Sequence, residues 1–282
     1  MSLKKKLILI VFIFLVVSCK KEKFIPPNII FILTDDQGYG DLGIYGAKEI
    51  LTPNIDFLAS QGARFTSYYA TQPVCSASRA SILTGSYSDR ISIHGAFMPN
   101  SKKGINSQET TIAEMLKDKG YSTAIFGKWH LGDAPEFFPT RHGFDEFYGI
   151  LYSNDMWPYH PEQGKIFNFD DLELYENETP IEVINDQSFL TEALTDKAIN
   201  FIKKNKDNPF FIFLPHPQPH VPLFANDKFI GKQKKGIYGD VINEIDFSFG
   251  RIFEVLKKNN LVKNTIIIFT SDNGPWLSYG TH

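Results

Sequence analysis

Residues 28–38, NIIFILTDDQG, carry the pattern that determines the fold. The first seven form a continuous, mostly apolar run that is rich in β-branched side chains. A run of this kind predicts a strand buried on both faces, as in a parallel sheet that helices cover on each side.

Two adjacent carboxylates, Asp35 and Asp36, follow this strand directly. In a buried position they would repel each other unless a cation lay between them. Their hard oxygen atoms suit Ca²⁺ or Mg²⁺, and ligands of open α/β sheets bind at the carboxyl ends of the strands. From these residues alone, a solvated turn with a helix-capping aspartate remains the alternative.

Strands and helices are predicted to alternate along the rest of the chain. Apolar runs indicate further strands at 64–70, 121–126, 209–214 and 265–270. Capping residues and apolar spacings of three to four indicate helices from Thr52 to Gly62 and at 110–119, 188–205 and 238–258. Residues 156–188 are predicted to be irregular, either shaping a substrate pocket or forming a solvated insertion. The alternation predicts an α/β fold, a mostly parallel sheet covered by helices on both faces.

Residues 73–85, PVCSASRASILTG, hold Cys75, the only cysteine besides Cys19. Ser76 or Ser78 could cap a helix there, which would place Cys75 just before its first turn. The partial positive charge of a helix N-terminus favours an anion and would lower the pKa of the thiol. A buried structural cysteine is the alternative.

Two further segments place basic side chains after predicted strands. In GKWHLG, residues 127–132, Lys128 and His130 are two positions apart and face the same side of an extended chain. In PHPQPHVPL, residues 215–223, four prolines hold the backbone extended, so that His216 and His220 project at fixed positions. By itself, the Lys-x-His pattern favours an ordinary surface segment.

Taken together, these motifs resemble the signatures of the type I, formylglycine-dependent sulfatases, an arylsulfatase-like family of the alkaline phosphatase superfamily. The resemblance rests on CSASR with the downstream LTG, on DDQGYGD at 35–41, on GKWHLG, and on the context of His220. Ser86 departs from the pattern, because the family often has arginine after Leu-Thr-Gly. The resemblance implies the alkaline phosphatase-like fold over residues 28–282.

The family resemblance also implies a reaction, the hydrolysis of a sulfated sugar or an aryl sulfate. In the family, a maturation enzyme oxidises the cysteine to formylglycine, whose hydrate attacks sulfur. By analogy, Arg79 would hold that group, Lys128 would contact the sulfate, His130 would accept a proton, and His220 would protonate the leaving oxygen. The implied catalytic residues are Cys75, Arg79, Lys128, His130 and His220, the substrate contacts are Lys128, Ser153 and His220, and the ligands of Ca²⁺ (Mg²⁺ less well) are Asp35, Asp36, Cys75, Asp272 and Asn273. A phosphonate or phosphate ester hydrolase of the same superfamily, and an inactive binding lipoprotein, are the alternatives.

The N-terminus predicts export and lipidation. Three lysines precede an apolar run at 7–17 that is too short to span a bilayer comfortably, and the run ends in Val16-Val17-Ser18-Cys19. This pattern resembles a bacterial lipoprotein cleavage box. We therefore expect a signal peptide at 1–18, a lipid on Cys19, a tether at 19–27, and a membrane-anchored protein of the bacterial cell envelope.

Composition adds few constraints. The 43% hydrophobic and 22% charged residues are typical of a globular domain, and a net charge of −3 gives no reason to expect nucleic acid as a partner. With Cys19 lipidated and Cys75 modified, no disulfide is expected. Family members continue beyond the position of His282, with a further sulfate-binding lysine and a smaller C-terminal domain, so we expect 28–282 to be an incomplete catalytic domain.

Overall fold

A computed structural model describes residues 25–276, and within that range seven strands form one sheet. The strands are β1 (Asn28–Thr34), β2 (Ser122–Lys128), β3 (Glu146–Ile150), β4 (Glu173–Glu176), β5 (Thr179–Val183), β6 (Phe210–Pro215) and β7 (Thr265–Ser271). Their order in the sheet is β5-β4-β3-β2-β6-β1-β7. The five neighbouring strands β3, β2, β6, β1 and β7 are parallel. Strands β4 and β5 add an antiparallel hairpin at one edge of the sheet.

Helices cover both faces of this sheet, which confirms the predicted fold class. They are α1 (Pro53–Ser60), α2 (Cys75–Thr84), α3 (Ile112–Lys117), α4 (Gly164–Phe167), α5 (Leu190–Asn205) and α6 (Gly236–Lys258). Helices α1, α5 and α6 pack on one face, where they share a hydrophobic core with the strands. Helices α2 and α3 pack on the other face around a second core.

Strand β6 shows why the apolar runs are continuous. Its residues Phe210, Ile212 and Leu214 belong to the core on the α5–α6 face, whereas Phe211 and Phe213 belong to the core on the α2–α3 face. All five side chains are at most 1% exposed. Because successive side chains of a strand point to opposite faces, a strand covered on both sides needs apolar residues at every position.

The predicted strand at 64–70 is wrong. Both hydrogen-bonding edges of β1 are filled by β6 and β7, so the segment finds no place beside it in the sheet. It runs instead along the surface, where Phe65 is 71% and Tyr69 is 82% exposed. The aromatic residues that suggested a strand are therefore solvent-facing side chains of an irregular segment.

The prediction that 156–188 is irregular is also wrong in part. This segment contains α4 and the hairpin of β4 and β5, whose two-residue loop has Asn177 in the left-handed conformation with φ 55°. All five residues of β5 are exposed, and its sequence TPIEV offers only two alternating apolar residues after Pro180, which is too short a pattern to predict a strand. Strand β3 was not predicted either, because its sequence EFYGI carries Glu146 and Gly149 in a short run.

The predictions for the N-terminus concern residues that the structure does not describe. The signal peptide, Cys19 and most of the tether lie in residues 1–24, so lipidation and location stay predictions. Within residues 25–276, no helix is long and apolar enough to cross a membrane.

Glu244 on helix α6 is a buried carboxyl group whose ionisation opposes folding. Glu244 is 3% exposed, and its Oε2 accepts a hydrogen bond from the Asn226 amide at 2.9 Å. Its Oε1 has no hydrogen-bond partner among the described residues. Burial raises the pKa of Glu244 to about 7.

Replacing Glu244 with glutamine should therefore stabilise the fold at neutral pH and above. A carboxyl whose folded pKa is raised contributes stability that is complete below its unfolded pKa, here 4.5, and is lost as pH rises through about 7. Between pH 4.5 and 8, the unfolding free energy of Glu244→Gln relative to the wild type should rise by about 2–3 kcal/mol, measured by urea denaturation. The control is Glu254→Gln on the exposed face of α6. If the unfolding free energy of both variants relative to the wild type were equally independent of pH, the assignment would be contradicted.

Candidate functional site

The carboxyl ends of four parallel strands bring the predicted site residues together. Asp35 and Asp36 follow β1, Asp272 follows β7, Lys128 ends β2, and His220 lies in the loop after β6. Backbone hydrogen bonds fix these ends to one another. The Asp272 amide donates to Thr34 O at 3.0 Å, and the Asp35 amide donates to Gln218 O at 3.2 Å.

Helix α2 adds Cys75 and Arg79 to the same place. The helix begins at Cys75, and Val74 is its N-cap without a side-chain cap, so the prediction of Ser76 or Ser78 as cap is wrong. Ser78 instead donates from Oγ to Asp272 O at 2.6 Å, and Ser76 Oγ accepts from the Phe97 amide at 3.0 Å. Because residues four apart share a helix face, the side chains of residues 75 and 79 both point toward the strand ends.

Arg79 is fully buried and links three strands. Its Nε and Nη2 donate to Asp272 Oδ2 at 3.1 and 2.9 Å, and Nη1 donates to Lys128 O at 2.7 Å. Nη2 also lies 3.4 Å from Asp35 Oδ2. A guanidinium group can reach several acceptors at once because its five N–H donors lie in a fixed plane.

Lys128 is the second buried cation, and it faces the same carboxylates. Its Nζ pairs with Asp35 Oδ2 and donates to Ser153 Oγ at 2.8 Å. Gly127 precedes it with φ 140°, and a Cβ there would lie 1.9 Å from Pro215 O. Only glycine therefore allows β2 to approach β6 closely enough to deliver Lys128 at this point.

The three carboxylates carry more negative charge than the two cations neutralise. Burial and the neighbouring charges of Asp35 and Asp272 raise the pKa of Asp36 to about 8. Burial and Asp35 raise the pKa of Asp272 to about 7. Burial acts to raise the pKa of Asp35 as well, but Lys128, Arg79 and His220 together lower it below its ordinary value.

The oxygen atoms of this group fit a bound cation. The terminal amide atom of Asn273 that faces the carboxylates lies 3.2 Å from Asp36 Oδ1 and 3.1 Å from Asp272 Oδ1. A nitrogen there donates to both carboxylates, whereas an oxygen there would complete a set of three hard ligands. Asp35, Asp36, Cys75 and His220 also each offer one ligand atom within 4.8 Å of the others. The predicted metal ligands are thus all close together, and a bound cation would reduce the repulsion among their carboxylates.

Two of these groups are poor ligands for Ca²⁺ in their present chemical form. Ca²⁺ prefers oxygen, so the His220 imidazole and the Cys75 thiol suit it less well than the carboxylates. Cys75 Sγ lies 3.4 Å from Asp35 Oδ1. An oxygen at residue 75, such as formylglycine would supply, would fit the site better than sulfur does.

The expected activation of the Cys75 thiol by the helix N-terminus is wrong. Burial and the nearby carboxylate of Asp35 raise the pKa of this thiol well above its usual value. These effects exceed the favourable charge of Lys128 and the helix dipole. The unmodified side chain is therefore a protonated thiol at neutral pH and a weak nucleophile.

The two histidines have different surroundings. His130 Nε2 donates to Phe97 O at 3.0 Å, while its Nδ1 has no partner among the described residues. Burial and the charges of Lys128 and Arg79 lower the pKa of His130 well below its ordinary value, so the ring is neutral and Nδ1 has a free lone pair. His220 Nδ1 lies 2.6 Å from Val221 O, and its Nε2 lies 3.4 Å from Asp36 Oδ2.

Two of the seven non-glycine residues with positive φ in the described part of the chain belong to this site. Asp36 and His130 are non-glycine residues in the left-handed conformation, with φ of 61° and 59°. Such conformations cost about 1–3 kcal/mol each and persist where the surrounding structure enforces them. The sequence analysis predicted neither this strain nor the hydrogen bond from Ser78 Oγ to Asp272 O. The position of Ser78, three residues after Cys75 on a helix, could have indicated the hydrogen bond.

Comparisons with known proteins agree with this geometry. The family model described as Sulfatase matches residues 27–282. The N-acetylgalactosamine-6-sulfatase of Canis lupus familiaris is 39% identical over 267 residues, which cover 88% of this chain and 50% of that protein. Human arylsulfatase A is 35% identical over 275 residues, covering 89% of this chain and 52% of that protein. The chain thus spans about half the length of the curated relatives it matches.

Solved structures show the same fold. The crystal structure of Ps i-CgsB aligns with a TM-score of 0.80 at 36% identity, covering 91% of this chain and 60% of that one. The phosphonate monoester hydrolase of Agrobacterium radiobacter aligns with a TM-score of 0.60 at 18% identity, covering 91% and 65%. The second likeness shows a shared fold and no more.

Removing the Arg79 side chain should destabilise the protein strongly. Arg79→Ala would leave the buried carboxylates of Asp35 and Asp272 without their guanidinium partner, at a cost of about 3–5 kcal/mol in unfolding free energy. Arg79→Lys should recover only part of this loss, because an ammonium cannot bridge all three acceptors.

Urea denaturation of both variants tests this expectation. The control is Arg90→Ala, which removes an exposed guanidinium and should change stability by less than about 1 kcal/mol. An Arg79→Ala protein as stable as that control would show that the buried network contributes nothing net to folding.

Proposed function

Because this chain belongs to the sulfatase family, we propose that it carries the catalytic centre of an enzyme that hydrolyses sulfate monoesters. The observation that supports this most directly is the convergence of Cys75, Lys128, Arg79, His130 and His220 around the three carboxylates. Each group predicted from a separate motif lies at the same end of the sheet.

The charge of the site favours a sulfate ester over a phosphate monoester. When all three carboxylates are ionised, Asp35, Asp36 and Asp272 carry one more charge than Lys128 and Arg79 balance. A divalent cation held by the aspartates and Asn273 would turn this into a single positive charge and would polarise the ester oxygens. A sulfate monoester carries a single negative charge, so the occupied site would be electrically balanced with this substrate.

Residue 75 is proposed to provide the nucleophile. The protonated thiol of Cys75 is unsuited to attack sulfur, and no second cysteine lies among residues 25–276 to activate it by disulfide chemistry. Oxidation of Cys75 to formylglycine by a maturation enzyme would replace the thiol with an aldehyde, whose hydrate offers an oxygen nucleophile. This nucleophile needs neither a deprotonated thiol nor a second cysteine. Arg79, on the same face of α2, would hold that side chain in place.

The remaining residues are assigned to the sulfate and to proton transfer. Lys128 would neutralise a sulfate oxygen, with Ser153 fixing the position of its ammonium. His220 would donate a proton from Nε2, which lies 3.4 Å from Asp36 Oδ2, to the departing alkoxide. Neutral His130 offers the free Nδ1 lone pair that could accept a proton during release of sulfate.

A sulfated saccharide is the proposed substrate class. The dog relative is named as a sulfatase of N-acetylgalactosamine 6-sulfate groups. One structure of Ps i-CgsB, 35% identical to this chain, holds a neocarrahexaose. The proposed lipid anchor at Cys19 would place the enzyme in the cell envelope, where polymeric glycans are met. An aryl sulfate is the alternative substrate.

Sulfate release from a panel of sulfated glycans tests the proposed reaction. Wild-type protein made in a host with a formylglycine-generating system should release sulfate, and mass analysis should find formylglycine at residue 75. Cys75→Ala should lower kcat by at least about a thousandfold, because the nucleophile is lost. Turnover of matched phosphate and phosphonate esters by the same preparation distinguishes a sulfatase from a phosphate or phosphonate ester hydrolase. Full activity with an unmodified thiol would refute the mechanism, and ligand affinity without turnover would favour the inactive binding protein.

Calcium should stabilise the folded protein through the aspartates and Asn273. After chelation, adding Ca²⁺ at a hundred times its dissociation constant should raise the unfolding free energy by about 2.7 kcal/mol and the melting temperature by several degrees. Mg²⁺ should have a smaller effect.

Asp36→Asn should abolish this response, because it removes a ligand charge and keeps the side-chain shape. Asp118→Asn, at an exposed aspartate after α3, is the matched control and should respond as the wild type does. Direct metal analysis of the purified protein accompanies the melting curves. A wild-type protein that neither contains metal nor responds to Ca²⁺ would contradict the site.

A further inference from the structure

The loop that carries His220 is held by few hydrogen bonds from its own backbone. Residues 215–223 contain four prolines, which have no N–H group to donate. Among the described residues, no backbone amide from 217 to 223 donates a hydrogen bond to another backbone group. The position of the His220 ring therefore depends largely on groups that bind the carbonyl oxygens of this loop.

The side chain of Asn154 is such a group, and the residue is completely buried, with 0% exposure. Its Nδ2 donates to His220 O at 3.4 Å and to Pro222 O at 3.3 Å. One amide group thus binds the carbonyl oxygens on both sides of Val221. Removing a buried donor leaves its acceptors unsatisfied, at a cost of about 1–3 kcal/mol, so the amide resists displacement of the loop.

Asn154 also connects the His220 loop to the lysine of the site. The preceding residue, Ser153, accepts a hydrogen bond from Lys128 Nζ at 2.8 Å. The backbone oxygen of Asn154 accepts from Gln187 Nε2 at 3.0 Å, and Gln187 is itself buried. Two adjacent residues of one buried segment therefore contact the group assigned to the sulfate and the loop of the group assigned to proton donation. This segment sets the distance between the two groups.

We propose that Asn154 is a positioning residue for the proton donor, and that its side-chain amide holds the His220 imidazole where Nε2 can reach the leaving oxygen. As the S–O bond to the leaving group breaks, its electron pair stays on the leaving oxygen, which takes the proton from Nε2. The donor must lie within hydrogen-bond reach of that oxygen, and a displacement of about 1 Å can cost about a hundredfold in rate. This inference rests on the proposed function, because it refines the role of His220 in the same reaction.

Sulfate esters with different leaving groups test the proposal. The ester para-nitrophenyl sulfate releases a weakly basic phenolate that leaves without a proton, whereas para-methoxyphenyl sulfate and sugar sulfates release more basic oxyanions. Asn154→Leu removes both hydrogen bonds and keeps about the same side-chain volume. It should lower kcat at least about tenfold for the esters with basic leaving groups and less than about twofold for the nitrophenyl ester. Asn154→Ala should show the same pattern.

The matched control is Asn205→Leu at the end of α5. Asn205 also donates from Nδ2 to a backbone carbonyl, Phe201 O at 3.0 Å. It lies just before the amino end of β6, at the opposite edge of the sheet from the site. Its variant loses the same kind of hydrogen bond, and its kcat for every ester should equal that of the wild type.

A double-mutant cycle distinguishes positioning of the proton donor from general damage to the site. In a His220→Ala background, Asn154→Leu should lower kcat for the basic leaving groups no further, because the proton donor is already absent. An equal loss of kcat on all esters would overturn the proposal. So would losses that are additive in the double variant.

A structural measurement judges the positioning of His220 independently of turnover. If the wild type hydrolyses no sulfate ester, the proposed function fails, but the His220 ring can still be followed by NMR with histidine labelled at its ring nitrogens. The signals are assigned by their loss in His220→Ala. Asn154→Leu should shift them, whereas Asn205→Leu should leave them unchanged.

A second variant of the loop covers the case in which the Asn154 variants do not fold. Gln218 also donates to Pro222 O, from Nε2 at 3.3 Å. Gln218→Leu removes this bond and should shift the His220 signals and reproduce the dependence of kcat on the leaving group. Unchanged His220 signals in every folded variant of Asn154 and Gln218 would overturn the inference.

Discussion

The buried guanidinium of Arg79 is the interaction on which the site depends. It joins Asp272 after β7, the backbone of Lys128 at the end of β2, and Asp35 after β1, while its own backbone belongs to α2. Four separate parts of the chain are therefore held at fixed distances by one side chain. Without it, the carboxylates that would bind a cation would repel one another in a region from which water is excluded.

The parallel sheet makes such a cluster possible. In parallel strands all carboxyl ends lie at one edge, so loops far apart in sequence meet there. The same arrangement concentrates charge that would be unfavourable elsewhere in a protein interior. The raised pKa values of Asp36 and Asp272 and the left-handed backbone of Asp36 and His130 show that the fold maintains the site at a cost in stability.

The sequence by itself determined the fold class, the central strands and the membership of the site. Continuous apolar runs predicted β1, β2 and β6 because strands buried on both faces need apolar residues at every position. A similar run predicted β7, although Ile266 and Ile268 on its outer face are 48% and 39% exposed. Cys75, Lys128, His130 and His220 were predicted as site residues because the motifs around them resemble sulfatase signatures, and not from their residue types alone. Tertiary structure decided what these local patterns do not encode. Residues 64–70 lack a place in the sheet because β6 and β7 occupy both edges of β1. The exposed strand β5 has too short an apolar pattern, two residues after a proline, to be predicted. The thiol pKa of Cys75 rises because burial and carboxylates from distant strands outweigh the local helix dipole. Long-range burial and charge set these properties, and they exist only once the strands have assembled.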